Sequence, residues 1–139
     1  MIAPDTSVLV AGFDPRHPFH AEAVPVLVEV KASGWLVAHT MAETYAVLTS
    51  PSGPFRFEPE PVVAYIDQFL ERSDPIQPRV GSYREALDLL GARNRAGGAI
   101  YDALVALAAR DAGATLVSLD RRAAPTYAAC GTEVRQLAA

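Results

Sequence analysis

The segment Ala99-Ile-Tyr-Asp-Ala-Leu-Val-Ala-Leu-Ala-Ala-Arg-Asp-Ala-Gly-Ala-Thr-Leu-Val-Ser-Leu-Asp120 places an alanine-rich helical pattern directly before a strand-like apolar run. Residues 99–111 are the most apolar helical stretch of the chain, and Thr115–Leu119 is its best strand candidate. Short strands that alternate with longer helices are typical of folds built on a parallel sheet. The segment therefore predicts an α/β protein.

The rest of the chain continues this alternation. Further strand-like runs fall at residues 1–3, 35–38, 75–78 and 132–137, of which 75–78 is the weakest. Further helical patterns fall at residues 18–33, 40–49, 61–71 and 82–93. Because no repeat, linker or low-complexity tract interrupts the pattern, we expect a single domain over residues 1–139.

Composition limits the class of protein. Half of the residues are apolar, which excludes a disordered chain, and the absence of a long uncharged apolar run predicts no membrane span. Asp5 interrupts the first apolar stretch early, so the start does not resemble a secretory signal. Cys130 is the only cysteine, which excludes an internal disulfide. These features favour a cytoplasmic protein.

Four acidic residues follow apolar runs or open the helices after them: Asp5, Glu43, Asp102 and Asp120. Residues just beyond the carboxyl ends of parallel strands gather along one edge of the sheet, where ligands bind. Acids gathered in this way repel one another unless a cation lies between them. Carboxylate oxygens are the ligands that Mg²⁺ and Mn²⁺ prefer. The pattern predicts a divalent-metal site suited to Mg²⁺ or Mn²⁺.

Three of these acids also have an ordinary structural explanation. Asp5 and Asp120 could cap the helices that follow them, and Thr40 with Glu43 fits a capping box. Asp102 differs, because Tyr101 is the only other polar residue between positions 99 and 109 and no basic residue lies one turn away. An unpaired buried carboxylate is costly, so Asp102 needs a partner or a cation.

The net charge of −4 argues mildly against a nucleic-acid partner. That argument weakens if the acids hold metal, because two divalent ions would bring the formal charge to about zero. Arginine greatly outnumbers lysine, and Lys31 is the only lysine. This bias suits phosphate binding but is equally a sign of a high-GC genome.

Taken together, the segments Asp5-Thr-Ser7, the Glu43 helix, Tyr101–Ala109 and Gly113–Asp120 resemble the PIN-domain nucleases, and most closely the VapC-type toxins of toxin–antitoxin pairs. The resemblance covers nearly the whole chain. It implies a PIN-like three-layer α/β/α sandwich around a short, mostly parallel sheet of four to five strands. It also implies metal-dependent RNA cleavage that leaves 5′-phosphate and 3′-hydroxyl ends. The four acids match the catalytic and metal-binding quartet of the family.

Other positions of the family pattern are matched or altered. Ser7 and Ser118 match the hydroxyl positions that support the site and the bound substrate, although threonine is commoner at the second. Ala123 stands where an aromatic residue often occurs. Pro4 removes a backbone donor from an expected central strand, which could shift Asp5.

The resemblance leads us to expect a cytoplasmic endoribonuclease toxin that acts on RNA, forms a homodimer and is inhibited by a small cognate antitoxin. Two alternatives stay open: a PIN-domain nuclease for RNA maturation without an antitoxin, and a catalytically silent PIN-like interaction module. The complete set of acids disfavours the silent module. The sequence does not distinguish one bound ion from two, and it does not identify the RNA.

Two further interpretations concern the partners. Arg93 and Arg95 precede Gly97-Gly98 and Asp102, so they either grip RNA phosphates or form a basic helix end that suits the helix dipole. The two readings have similar weight. Val47 and Leu48 are candidates for a groove that holds an antitoxin helix.

Overall fold

The computed structural model describes residues 1–54 and 56–137 and contains a parallel sheet in the order β1-β2-β3. The strands are β1 (Ile2–Pro4), β2 (Thr115–Ser118) and β3 (Val134–Gln136). Ala3 pairs with Leu116, and Leu116 pairs with Val134. The strands predicted from the sequence at both ends of the chain and at residues 115–119 are therefore confirmed.

The helices of the described residues surround this sheet. They are α1 (Thr6–Phe13), α2 (His20–Ser33), α3 (Ala38–Thr49), α4 (Pro59–Asp67), α5 (Val80–Ala92), α6 (Ala99–Asp111) and α7 (Ala124–Ala129). Five of them match the predicted helical patterns within a few residues. The helices α1 and α7 were not among those patterns, because α1 is apolar on most sides and α7 has only six residues, so neither shows a polar face at helical spacing.

Alternate residues of the strands face two different apolar cores. Ile2 and Val117 pack with buried residues of α1, α2, α3 and α4. Ala3 and Leu116 pack with buried residues of α5, α6 and α7 on the other face. Side chains of a strand point alternately to opposite faces, so helices cover both faces of the sheet. This arrangement confirms the predicted three-layer α/β/α fold.

The sheet extends beyond β1 through two shorter segments. The Trp35 N–H donates to the Ile2 carbonyl at 3.0 Å, and Val37 forms an isolated parallel bridge with Ile76. These are the runs predicted as strands at residues 35–38 and 75–78. Counting the Trp35 segment gives four strands and counting both segments gives five, which is the expected range.

Pro4 explains why the pairing beside β1 is incomplete. The N–H groups of Thr115 and Asp5 bond across the β1–β2 pair, so the even-numbered residues of β1 face the Trp35 segment. In a full parallel ladder, residue 4 would donate back to this segment, but proline has no N–H. The missing donor leaves Asp5 in place, because the Asp5 N–H still bonds to the Val117 carbonyl at 2.9 Å.

No helix in the described ranges is long and apolar enough to cross a membrane.

Candidate active site

The four predicted acids line one cleft, of about 460 Å³. Asp5 directly follows β1, and Asp120 lies just past the end of β2. Glu43 lies on α3, and Asp102 lies in the first turn of α6. The cleft therefore opens at the carboxyl edge of the sheet, where the fold predicts a ligand site.

Asp5 is the most enclosed of the four acids, with 2% of its surface exposed. It is the N-cap of α1, and one of its carboxylate oxygens accepts from the Val8 N–H at 3.3 Å and from the Ser7 hydroxyl. The other oxygen accepts from the Tyr127 hydroxyl at 2.9 Å. The capping explanation of Asp5 is thus correct, but it accounts for only one of its carboxylate oxygens.

Burial raises the pKa of Asp5, although hydrogen bonds from the hydroxyls of Ser118, Ser7 and Tyr127 lower it in part. The pKa of Tyr127 is also raised, by burial first and then by the negative charge of Asp5. Tyr127 therefore keeps its proton and acts as a fixed hydrogen-bond donor to Asp5.

Asp102 has a cation partner that its own helix does not provide. Arg122, in the loop between β2 and α7, places Nη1 at 3.7 Å from the Asp102 carboxylate and Nη2 at 3.1 Å from Asp120. Burial raises the pKa of Asp102; Arg122 opposes the shift, while Asp120, Glu43 and Asp5 add to it. One exposed arginine therefore does not balance the charge of the cleft.

Glu43 is held by contacts other than a capping box. Its carboxylate accepts from the Thr6 hydroxyl at 3.0 Å and lies 3.6 Å from His39 Nε2. Thr40 lies inside α3, and its hydroxyl donates to the Val37 carbonyl. The capping-box explanation of Glu43 is therefore wrong, because the helix begins before Thr40.

Asp120 is held by the backbone that follows it. Its carboxylate accepts from the N–H groups of Arg122 at 2.9 Å and Ala123 at 3.3 Å. The N-cap residue of α7 is Ala123, so Asp120 closes the turn that precedes this helix.

The two predicted hydroxyl positions connect the strand ends. The Ser7 hydroxyl accepts from the Leu119 N–H at 2.9 Å while it donates to Asp5. The Ser118 hydroxyl is fully buried and accepts from the Asp120 N–H at 2.9 Å. Both serines thus fix the backbone on which the acids stand, and a direct contact of either with substrate stays a prediction.

The structure does not bring Arg93 and Arg95 into the lining of the acid cleft. Among the described residues that line the cleft, neither arginine occurs. The Arg93 guanidinium donates to the Leu89 carbonyl at 3.3 Å, near the end of α5. This contact supports the interpretation of Arg93 as part of a basic helix end. Their contact with RNA stays a prediction.

The donor chemistry of the cleft fits a hard divalent cation. Four carboxylates face the same space, and two of them already share a positive group. As the side chains stand, no three His, Cys, Asp or Glu residues within the described ranges form a group that could hold an ion. A bound metal ion would therefore need the carboxylates to move closer together than they stand.

Tyr127 and Arg122 are the site residues that sequence reasoning missed. The hydrogen bond from Tyr127 to Asp5 joins residues that are 122 positions apart, so no local pattern predicts it. Only the backbone contact of Arg122 could have been suspected from the sequence. An aspartate side chain often accepts from the N–H two residues later, and Arg122 lies two residues after Asp120.

The three-layer fold and the acids at the carboxyl edge of its parallel sheet are the features expected of a PIN-domain protein. Comparison with known protein families agrees with this assignment. The PIN domain family matches residues 2–128, and the chain belongs to this family. It is 44% identical to Ribonuclease VapC40 of Mycobacterium tuberculosis over 96% of this chain and 97% of the relative. It is 33% identical to Ribonuclease VapC27 of the same organism over 96% of this chain and 94% of the relative.

A solved structure with the same fold is that of VapBC2 from Rickettsia felis bound to a DNA fragment from their promoter. Its TM-score is 0.68 at 19% sequence identity, over 99% of this chain and all of the matched chain. At this identity the likeness shows the fold.

Proposed function

We propose that this protein is an endoribonuclease that acts as the toxin of a VapBC-type toxin–antitoxin pair. The observation that carries the proposal is the meeting of Asp5, Glu43, Asp102 and Asp120 in one cleft of a PIN-domain fold. The names of the two relatives, both ribonucleases, support an activity on RNA. We expect Mg²⁺ as the metal, with Mn²⁺ as its substitute.

The metal, when bound, would stabilise charge on a scissile phosphate and activate a water for in-line attack. The carboxylates of the cleft would hold it, and the chain's own contacts would keep them in place. Asp5 is fixed on both oxygens, and Glu43 is tied to the N-terminus of α1 through Thr6. Such outer contacts orient metal ligands and raise the affinity of a site.

The protein itself offers no activated nucleophile in the described part of the cleft. Both hydroxyls next to Asp5 are engaged within the fold: Thr6 donates to Glu43, and Ser7 donates to Asp5 while it accepts from the Leu119 N–H. Tyr127 retains its proton because its pKa is raised. These facts support hydrolysis by water rather than a covalent intermediate.

To bind an antitoxin helix, this protein would need an apolar surface in addition to the acid cleft. A second cleft, of about 370 Å³, lies between α3 and α4 and is lined by Ala38, Met41, Ala42, Tyr45, Val63, Ile66 and Asp67. Its apolar lining suits one face of an antitoxin helix. Of the two residues expected there from the sequence, Val47 is exposed at the acid cleft, but Leu48 is fully buried in the core and is excluded.

The homodimer expected from the resemblance is also a proposal. An exposed apolar row on α5 would suit it, since Val80, Tyr83 and Leu87 follow helical spacing and remain uncovered in the single chain.

The test is RNA cleavage by the purified protein with Mg²⁺ or Mn²⁺ and with EDTA. Cleavage should stop in EDTA, and Asp5→Asn and Asp102→Asn should each reduce the rate at least about 100-fold, because a lost ligand misplaces the metal. Asp88→Asn is the matched control, since Asp88 pairs with Arg84 on the exposed face of α5. Full activity in EDTA, or in both cleft variants, would contradict the proposal.

A further inference from the structure

Arg122 is the cation that the chain itself places among the acids of the cleft. Its guanidinium reaches Asp102 at 3.7 Å and Asp120 at 3.1 Å, two acids from different elements of the fold. Among the described residues that line the cleft, it is the only arginine or lysine. A metal ion held by these two carboxylates would compete with the guanidinium for their oxygens.

The attachment of Arg122 allows its side chain to leave without moving its backbone. The Arg122 N–H donates to the Asp120 carboxylate at 2.9 Å, which holds the main chain beside the cleft. The side chain itself is 73% exposed, and exposed ion pairs contribute little to stability. The guanidinium can therefore exchange its partner at low cost while it stays within reach of a ligand in the cleft.

Resting on the ribonuclease function proposed above, we infer that Arg122 is a phosphate-binding residue that the acids hold until metal arrives. In the metal-free protein it pairs with Asp102 and Asp120. When a divalent cation takes these carboxylates, the guanidinium is released at the mouth of the cleft and binds a phosphate of the RNA. Its planar donors match phosphate oxygens in pairs.

This role makes two predictions of opposite sign for one substitution. Arg122→Ala should bind metal more tightly, because the competing cation is gone. The same variant should bind RNA more weakly once metal is present, because the phosphate contact is lost. If Arg122 were only a surface residue, its replacement by alanine would change neither affinity. If it only neutralised the acids, the replacement would change the affinity for metal but not the affinity for RNA.

Arg121 provides a matched control. It is the neighbouring residue and carries the same charge, but it makes no ion pair with the described residues and does not line the cleft. Arg121→Ala therefore changes the net charge equally without touching the acids. Any difference between the two variants reports the position of Arg122 rather than the charge of the chain.

The experiment is Mn²⁺ titration of the full chain without RNA, followed by electron paramagnetic resonance of the free ion. We expect the dissociation constant for Mn²⁺ to fall about two- to fivefold in Arg122→Ala, the modest change typical of an exposed ion pair, and to stay unchanged in Arg121→Ala. The second measurement is the KM for a single-stranded RNA oligonucleotide in saturating Mn²⁺ at several salt concentrations. It should rise about five- to tenfold in Arg122→Ala, with a salt slope shallower by about 0.7.

Unchanged or weaker Mn²⁺ binding in Arg122→Ala would overturn the inference, as would a KM no higher than that of Arg121→Ala. These results are distinct from a failure of the ribonuclease proposal, in which the wild-type protein would not cleave RNA with any divalent metal. In that case the Mn²⁺ titration still decides whether Arg122 competes with the ion, and a failure to compete overturns the inference independently.

Discussion

Helix α6 carries one aspartate at each end, and the two have opposite surroundings. Asp102, in the first turn, faces Asp5, Glu43 and Asp120, with one exposed arginine at 3.7 Å. Asp111 is the last residue of the helix, and both of its carboxylate oxygens accept hydrogen bonds. One accepts from Arg110, and the other from the Ser82 hydroxyl and the Arg79 N–H. Burial and surrounding charge raise the pKa of the first carboxyl, whereas the pKa of the second is lowered.

The contacts of Asp111 explain its lowered pKa. Burial alone would raise this pKa, but hydrogen bonds from the Ser82 hydroxyl at 2.6 Å and the Arg79 N–H at 3.0 Å outweigh it, together with Arg110. Arg110 also forms a bidentate pair with Glu85, at 2.6 and 2.7 Å, which joins α5 to α6. This cluster is complete without any further ion.

The difference separates an acid that is a candidate for ligand binding from one whose role is structural. Both aspartates are largely buried on the same helix, so burial alone does not separate them. What separates them is whether the chain supplies compensating charge. A group that the fold leaves electrostatically unfavourable, inside a cleft with other such groups, is a candidate for ligand binding.

Among the variants that test this comparison between the acid cleft and the Asp111 cluster, we expect the largest effect from Tyr127→Phe. This change removes one donor to Asp5 at nearly constant volume, so Asp5 is held less firmly, and the dissociation constant for Mn²⁺ should rise about tenfold. Tyr65→Phe is the control, because the Tyr65 hydroxyl donates to the Leu9 carbonyl at 2.6 Å instead. Both variants should lose similar stability in urea, but only the first should lose metal affinity. Equal Mn²⁺ binding in the two would show that Tyr127 is only structural.

Arg110→Ala should affect the other end of α6. The variant leaves Asp111 and Glu85 without their cation, and we expect a loss of about 1 to 2 kcal/mol at pH 7 in urea unfolding. Because the folded pKa values of Glu85 and Asp111 are lowered, this stabilisation is complete above their unfolded values and is lost as the pH falls through the folded ones. The difference from wild type should therefore shrink below about pH 4. A loss that is constant with pH would contradict an electrostatic origin.

Parts of the fold and of the site followed from local sequence. Helical periodicity gave five helices, and the acids after apolar runs gave the four carboxylates of the cleft. The partners of those acids did not follow, because Tyr127 and Arg122 reach Asp5 and Asp102 through tertiary contacts. The loss of a backbone donor at Pro4 was predicted from the sequence, and it accounts for the reduced pairing of the Trp35 segment.

The central claim is that the acids of the cleft repel one another until a cation binds, and paired melting curves of Asp102→Asn and Asp111→Asn test it most directly. In EDTA at pH 7, Asp102→Asn should melt about 3 °C higher than wild type, because a repelling charge is removed. Asp111→Asn should melt lower, because a stabilised charge is removed. Added Mn²⁺ should raise the melting temperature of wild type and Asp111→Asn alike, but raise that of Asp102→Asn less. A lower melting temperature for Asp102→Asn in EDTA, with an undiminished gain from Mn²⁺, would contradict the account.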